Sequence, residues 1–361
     1  MIKFNRSIGQ NCEIIDDLGK LPNIVRYTLK DISPTNIMII TDSTVHSHYH
    51  KRLDDALPEK YSVDWIVLNP GEDSKLFTNI LSLSEKILKL RIDRNSLLIG
   101  FGGGVITDIT GFVASILLRG VRWIAIPTTV IGMTDAAIGG KTGANTESGK
   151  NLVGTFYPPE HIFVFPDFLK TLSDRDITAG WSEIIKYRLL EGGDLWNKFG
   201  KQNLTTTPTS DIIEHCIRYK ERVVQEDPFE NGLRRQLNLG HTAGHALEVA
   251  TAYKVYNHGE AVLWGLGVML QLSHLNCGLP EDVTNLAQQL ISKFILPESN
   301  VHPDTIVSHL ASDKKRINNK NIWVLLNALG KFNFYDQVPE KLIYDVITKQ
   351  LEFLKVGKAV R

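Results

Sequence analysis

Hydrophobic and polar positions alternate in two different rhythms along this chain. In the first half, short apolar runs are each cut off by turn-forming residues. Asn36-Ile37-Met38-Ile39-Ile40-Thr41 ends at Asp42, and Val63-Asp64-Trp65-Ile66-Val67-Leu68 is closed by Asn69-Pro70-Gly71. Ser96-Leu97-Leu98-Ile99-Gly100 runs into Gly102-Gly103-Gly104, and Val121-Arg122-Trp123-Ile124-Ala125-Ile126 is halted by Pro127. Runs of this length and composition predict buried strands. Between them, residues 75–90 carry Ile80, Leu81, Leu83, Ile87 and Leu88 at helical spacing. Strand–helix alternation over the first half predicts a parallel α/β layer. From about Ser173 the rhythm changes to long helical periods, as in residues 212–226 and 240–252. The pattern therefore predicts an α/β domain over residues 1–172 and a helical domain over residues 173–361, and a length of 361 residues fits two cores better than one.

Charge narrows the function classes. With 40 basic and 40 acidic side chains the formal net charge is zero, so bulk electrostatics offers no nucleic-acid or membrane surface. The longest apolar runs, residues 111–118 and 261–272, are too short to span a bilayer. Cys12, Cys216 and Cys277 are scattered and lack metal-binding spacing, which fits a reducing compartment. The opening Met-Ile-Lys-Phe-Asn-Arg-Ser has no apolar core of a signal peptide, so the cytoplasm is the expected location.

Chemistry concentrates in a few places. Leu237-Asn238-Leu239-Gly240-His241-Thr242-Ala243-Gly244-His245 sets two histidines four apart, which on a helix share one face about 40° apart. Glu183 and His258 add a carboxylate and a third imidazole, and one carboxylate with two imidazoles is a common catalytic zinc set. Gly102-Gly103-Gly104, followed by Asp108, sits at a strand-to-helix turn where a pyrophosphate can approach backbone N–H groups, and a tight turn accounts for it equally well. Asp42 at one strand end, with Glu72 and Lys75 at another, suits ribose hydroxyls, although turn-forming acids have structural uses too. Asp135, Lys141, Lys150 and Asn151 lie among glycines in a loop suited to an anion such as phosphate, and a solvated glycine-rich loop with incidental lysines accounts for either piece alone. Lys220 and Arg234 flank Glu226-Asp227, where ion pairing with those acids competes with a carboxylate pocket.

Seven ordered motifs then carry a family resemblance. They are Gly102-Gly103-Gly104-Val105-x-x-Asp108, Arg119-Gly120-Val121-Arg122-x-Ile124-x-x-Pro127-Thr128-Thr129, Asp135-x-x-x-Gly139-Gly140-Lys141-Thr142-Gly143, Gly149-Lys150-Asn151-x-x-Gly154, Glu183-x-Ile185-Lys186-Tyr187, the Leu237–His245 run, and His258-Gly259-Glu260-Ala261-Val262. Over residues 42–315 the chain resembles the 3-dehydroquinate synthase family of sugar phosphate cyclases. The resemblance implies an α/β N-terminal Rossmann-like domain holding NAD, an all-α C-terminal domain holding Zn2+ or the similar Co2+, and an active site in the cleft between them. It implies a cytoplasmic homodimer acting on a small sugar phosphate, with no nucleic-acid or membrane partner. The implied reaction converts 3-deoxy-D-arabino-heptulosonate 7-phosphate to 3-dehydroquinate and phosphate. Its steps are transient oxidation by NAD, phosphate elimination, reduction and intramolecular aldol closure.

By motif position, the resemblance assigns Glu183, His241 and His258 to the metal, and His245 to the substrate. The implied NAD contacts are Asp42, Glu72, Lys75, Gly103, Gly104, Asp108, Thr128, Thr129, Thr171 and Leu172, with Lys150 at the nucleotide or phosphate side. The implied substrate pocket holds Asp135, Lys141, Asn151, Lys186, Lys220, Arg234, Asn238 and His245. Arg119 is implied to reach the neighbouring subunit, and Lys315, or its neighbour Lys314, to enter the pocket.

The chain departs from the family pattern at Ala136 and Ala137, in Ala144-Asn145-Thr146-Glu147 where the family often has Val-Asn-His-Pro, and at Trp181 and Arg188 beside Glu183. Sister cyclases for other sugar phosphates, aminodehydroquinate synthase among them, form one alternative. A glycerol-dehydrogenase-like metal and NAD oxidoreductase forms another, and it would have no use for the cations Lys141, Lys220 and Arg234 or for Asn151. A non-catalytic relative is a third.

Overall fold

A seven-stranded sheet organises the first part of the protein, seen here as a computed structural model that describes residues 2–3, 11–193, 196, 204, 206–312 and 321–356. Its strands are β1 (Ile2–Lys3), β2 (Asn11–Ile14), β3 (Ile37–Asp42), β4 (Val63–Leu68), β5 (Leu97–Gly102), β6 (Arg122–Pro127) and β9 (His161–Val164), in the order β1-β2-β9-β6-β5-β3-β4. All neighbours pair in parallel except β1 with β2. Strands β3 and β5 are buried along their whole length, as their unbroken apolar runs require. The four runs picked out by hydrophobic patterning are β3 to β6. The strands β2 and β9 are four residues each, too short for a periodic signal.

Helices α1 (Leu21–Ile32), α2 (Ser43–Asp54), α3 (Phe77–Lys89) and α4 (Gly104–Ile116) connect the strands. The chain continues from β3 to β4 on one side and to β5 on the other, so the strand order reverses at β3, where open α/β sheets characteristically bind ligands. After β6, the residues Gly132–Ala136 form a π-helical turn, and a hairpin follows from β7 (Lys141–Thr146) and β8 (Gly149–Phe156). The glycine-rich segment that sequence alone presents as a loop is thus paired strand. A Cβ on Gly154 would lie 2.2 Å from the Thr142 carbonyl oxygen, so glycine is what lets the two strands close.

The chain forms two compact units. The first joins residues 1–172 with Thr209–Phe229, and so includes α6 (Ser210–Glu226); the second joins Ser173–Pro208 with Glu230–Arg361. In the second unit α5 (Asp174–Glu191), α7 (His241–Ala250), α9 (Glu281–Ile291), α10 (Pro303–Ser312) and α11 (Glu340–Val356) accompany a central helix α8 (His258–Cys277). This unit is helical apart from the hairpin of β10 (Trp323–Ala328) and β11 (Lys331–Tyr335), which is tied to α8 where Leu326 N–H donates to Ser273 Oγ at 2.9 Å. Every residue of α8 from Gly259 to Leu270 is buried, which is why it shows no amphipathic stripe. Among the described residues no helix is long and apolar enough to cross a membrane.

Candidate active site

In the second unit, Glu183, His241 and His258 converge from α5, α7 and α8. One ligand atom from each lies within 4.8 Å of the other two. Glu183 Oε1 is 3.6 Å from His241 Nε2 and 3.8 Å from His258 Nε2. Glu183 is fully buried; the Lys186 ammonium, one turn on, pairs with its Oε2, while Oε1 faces the two imidazole nitrogens. Lys186 offsets part of the cost of burying this carboxylate, and a divalent cation among the three groups would offset more. The set therefore fits a metal ion of the zinc kind.

The second nitrogens of both imidazoles are engaged. His241 Nδ1 lies 3.2 Å from the Leu239 carbonyl oxygen, and His258 Nδ1 lies 3.3 Å from Oε2 of the buried Glu248. With Nδ1 held by an acceptor, each ring carries its proton there and turns Nε2 towards Glu183. His245 lies one turn along α7 from His241, its ring centroid 5.4 Å from that of His241 and 5.7 Å from that of His258. It forms a second ligand-capable group with Glu248 and His258. The sequence reading did not single out Glu248.

Glycines bring these three helices close enough. A Cβ on Gly259 would lie 2.2 Å from the Ala179 carbonyl oxygen, so α8 begins against the backbone of α5 one turn before Glu183. A Cβ on Gly265 would lie 2.1 Å from the Gly240 carbonyl oxygen, which packs α8 equally tightly on α7. His258 is the first residue of α8, and a capping box fixes that end: Asn257 Oδ1 accepts from Glu260 N–H, and Glu260 Oε2 accepts from Asn257 N–H. Arg175 grips the same Glu260 through two bonds of 2.7 Å, and its pKa is raised by that bonding. Behind Glu183, Trp181 is buried and its indole N–H donates to the Thr206 carbonyl oxygen at 2.9 Å. Arg188 is also buried, stacked 4.1 Å over the Trp196 ring, and burial lowers its pKa to about 10. Lys186 and the wholly buried Arg234 belong to this unit as well, as does Asn238, whose Nδ2 donates to Glu230 Oε1 at 3.0 Å.

The residues assigned to the nucleotide all lie in the first unit, past the carboxyl ends of β3, β4, β5, β6 and β9. Asp42 caps α2, with Oδ1 accepting from Thr44 and Val45 N–H at 2.9 and 3.0 Å. That structural duty uses one oxygen of the carboxylate. Gly103 and Gly104 open α4, whose first turn has no side-chain cap, and a Cβ on Gly103 would come within 2.9 Å of Thr129 Cγ2. Thr128 Oγ1 is buried with no hydrogen-bond partner among the described residues. An uncapped helix N-terminus behind glycines, beside an orphaned hydroxyl, fits a dinucleotide phosphate. Thr171 Oγ1 lies 2.9 Å from Tyr49 Oη, and Leu172 follows it at the end of the unit's first segment.

Lys75 is buried, pairs with Asp108, and donates to Asn151 Oδ1 at 2.5 Å. Burial raises the Asp108 pKa, with Lys75 opposing that rise. Glu72 accepts from Asn145 Nδ2 at 2.7 Å. Glu72, Lys75 and Asp108 are therefore joined to Asn145 and Asn151 in one hydrogen-bonded set. Asp135 sits in the π-helical turn, and the Lys220 ammonium binds both its carbonyl oxygen, at 2.7 Å, and its carboxylate. Lys220 thus pairs with an acid 85 positions away along the chain. Lys141 is exposed at the start of β7, and Lys150 is half-buried at the start of β8. Arg119 is exposed at a sharp reversal in which Leu118 and Arg119 both have positive φ (50° and 66°). Lys314 and Lys315 lie outside the described residues.

Residues 65–179 match the family described as 3-dehydroquinate synthase N-terminal, and residues 180–316 the one described as 3-dehydroquinate synthase C-terminal. A curated 3-dehydroquinate synthase of Leptospira interrogans is 36% identical over 341 residues, covering 93% of this chain and 91% of its own. A crystal structure of 2-deoxy-scyllo-inosose synthase complexed with carbaglucose-6-phosphate, NAD+ and Co2+ aligns with a TM-score of 0.86 at 25% identity, covering 96% of this chain and 99% of that one. A 2-epi-5-epi-valiolone synthase from Streptomyces hygroscopicus subsp. jinggangensis, with NAD+ and Zn2+ bound, aligns with a TM-score of 0.83 at 25% identity, covering 98% of this chain and 99% of that one. Two adjoining family matches and a relative this similar over nearly the whole length make this chain a member of the 3-dehydroquinate synthase family.

Proposed function

We propose that the chain is an NAD- and metal-dependent carbon–oxygen lyase that converts 3-deoxy-D-arabino-heptulosonate 7-phosphate to 3-dehydroquinate and phosphate, a step towards chorismate and the aromatic amino acids. The observation that carries this reading is the buried Glu183 with one carboxylate oxygen faced by two imidazole nitrogens, in a chain of this family. Glu183, His241 and His258 would hold a divalent cation, Zn2+ or Co2+, and the first unit would hold NAD through Asp42, Glu72, Lys75, Gly103, Gly104, Asp108, Thr128, Thr129, Thr171 and Leu172. When bound, NAD accepts a hydride from a secondary alcohol and later returns it, while the cation eases loss of that alcohol's proton.

The chain's own residues bind and orient. Lys141, Lys150 and Asn151 recognise the phosphate, whose departure needs positive charge and hydrogen-bond donors. Arg234 and Lys220 recognise the carboxylate, for which the planar guanidinium is suited. Asn238 and Lys186 address the substrate's hydroxyls, and Asp135 keeps Lys220 oriented through their ion pair. His245 acts on the substrate beside the metal ligands. The chain works as a homodimer in the cytoplasm, with the exposed Arg119 reaching the neighbouring subunit.

The test is product identity. Metal-loaded protein with NAD and the heptulosonate phosphate should yield 3-dehydroquinate, recognised by its conversion with a dehydroquinate dehydratase. Absence of that product, with phosphate released from a different sugar phosphate, would move the chain to a sister cyclase.

A further inference from the structure

One residue ties the turn carrying Glu72 and Lys75 to the strand carrying Asn151. Asn145 forms a backbone bridge to Leu76, just past that turn. Its Nδ2 donates to Glu72 Oε2 at 2.7 Å, and its Oδ1 accepts from Asn151 N–H at 3.0 Å. The orientation of this amide is dictated by its partners, because a carboxylate only accepts and a backbone N–H only donates. Asn145 is 6% exposed, so both bonds are sheltered from water. It lies at the register shift between Ala144 and Thr146, the kind of irregularity that re-aims a strand side chain. At the far end of its second bond, Asn151 has a φ of 56°, a left-handed conformation that needs support from its surroundings. Lys75 closes the circuit by donating to Asn151 Oδ1.

We propose that Asn145 is a positioning residue that holds the nucleotide-side carboxylate of Glu72 and the phosphate-side Asn151 in one fixed arrangement. It touches neither ligand itself. Its donor end serves Glu72 and its acceptor end serves Asn151, so the two duties are separable by substitution. The inference rests on the roles proposed above for Glu72 and Asn151.

Asn145→Asp separates the two ends. It keeps an oxygen for Asn151 N–H and sets a carboxylate against Glu72 where a donor stood. Calorimetric titration of the metal-loaded variant with NAD, beside KM for the heptulosonate phosphate at saturating NAD, reads both ends. The expected result is an NAD dissociation constant raised about tenfold or more, the size of a lost charged hydrogen bond, with KM unchanged. Asn145→Ala should raise both constants. Glu72→Gln is the reference. If it weakens NAD binding and Asn145→Asp does not, the proposal is overturned while the reading of Glu72 stands. If Glu72→Gln leaves NAD affinity intact, that reading falls and takes the proposal with it. An Asn145→Asp protein that loses NAD affinity and KM together with its thermal midpoint also overturns the proposal, because that is how a purely structural residue behaves.

Discussion

The proposed metal cluster of the second unit and the proposed anion-binding set of the first unit solve the same problem by different physics. Glu183, His241 and His258 come from three helices whose backbones are in contact, and their geometry is set by packing at Gly259 and Gly265. Glu72 and Lys75 come from a turn, Asp108 from α4 and Asn151 from the start of β8, and a chain of hydrogen bonds through Lys75 and Asn145 links them. A metal ion tolerates little displacement of its ligands, so a site built on close-packed helices suits it. A nucleotide and a phosphate present many acceptor atoms, and loop residues that share hydrogen bonds can adapt to them. The difference predicts that the metal cluster fails through steric change as well as through loss of a ligand, and the anion-binding set through loss of single polar groups.

The largest expected effect tests the metal side directly. Glu183→Gln should bring bound metal to near none and cut turnover on the order of a hundredfold or more, beyond the 10–100-fold typical of outer-shell partners. Metal analysis of the purified protein with steady-state rates reads both. Full turnover without metal would remove the cluster from the mechanism. Gly259→Ala comes next, since its methyl would sit 2.2 Å from the Ala179 carbonyl oxygen and 2.4 Å from Ala179 Cα. A destabilisation of roughly 3 kcal/mol, the upper end of overpacking costs, should appear in denaturant unfolding, together with weakened metal binding. A stable Gly259→Ala protein with normal metal affinity would break the claim that packing sets this geometry.

Smaller effects sharpen the comparison. Glu248→Gln should weaken metal binding by about 10–100-fold through His258 while leaving the NAD affinity alone. Chelator competition measures the first quantity, and an unchanged metal affinity would make Glu248 a structural acid only. Asp42→Asn is the mildest. Asparagine caps a helix as well as aspartate does, so stability should change by less than about 0.5 kcal/mol, while NAD binding weakens through loss of the charge. Equal NAD affinity in that variant would leave Asp42 a cap and nothing more.

Much of this was readable in the residues, and the gaps have physical causes. Whereas β4, at the sheet edge, is half-exposed and its run is broken by Asp64, the strands β3 and β5 announce themselves as unbroken apolar runs because both of their faces are covered. The hairpin of β7 and β8 does not, because Gly143 and Gly154 serve close backbone approach and supply no hydrophobic alternation. The helical face shared by His241 and His245 is visible in their spacing, yet spacing cannot say that Glu183 stands nearer His258 than its distance along the chain suggests. Glu248 looks like an ordinary helical acid until its carboxylate is found beside His258 Nδ1. Asn145 stood out only as part of a segment that departs from the family pattern. The π-helical turn that carries Asp135 has no sequence signal of its own, and Lys220 finds its partner there across 85 positions of chain.

The central claim is a redox cycle that regenerates its own cofactor. It is tested most directly by counting phosphate released from 3-deoxy-D-arabino-heptulosonate 7-phosphate by the zinc-loaded protein with NAD held well below the substrate concentration. The account predicts many phosphates released per NAD, with no accumulation of NADH. Phosphate that stops at one per NAD, or NADH that builds up without phosphate, would contradict it and mark the chain as a dehydrogenase.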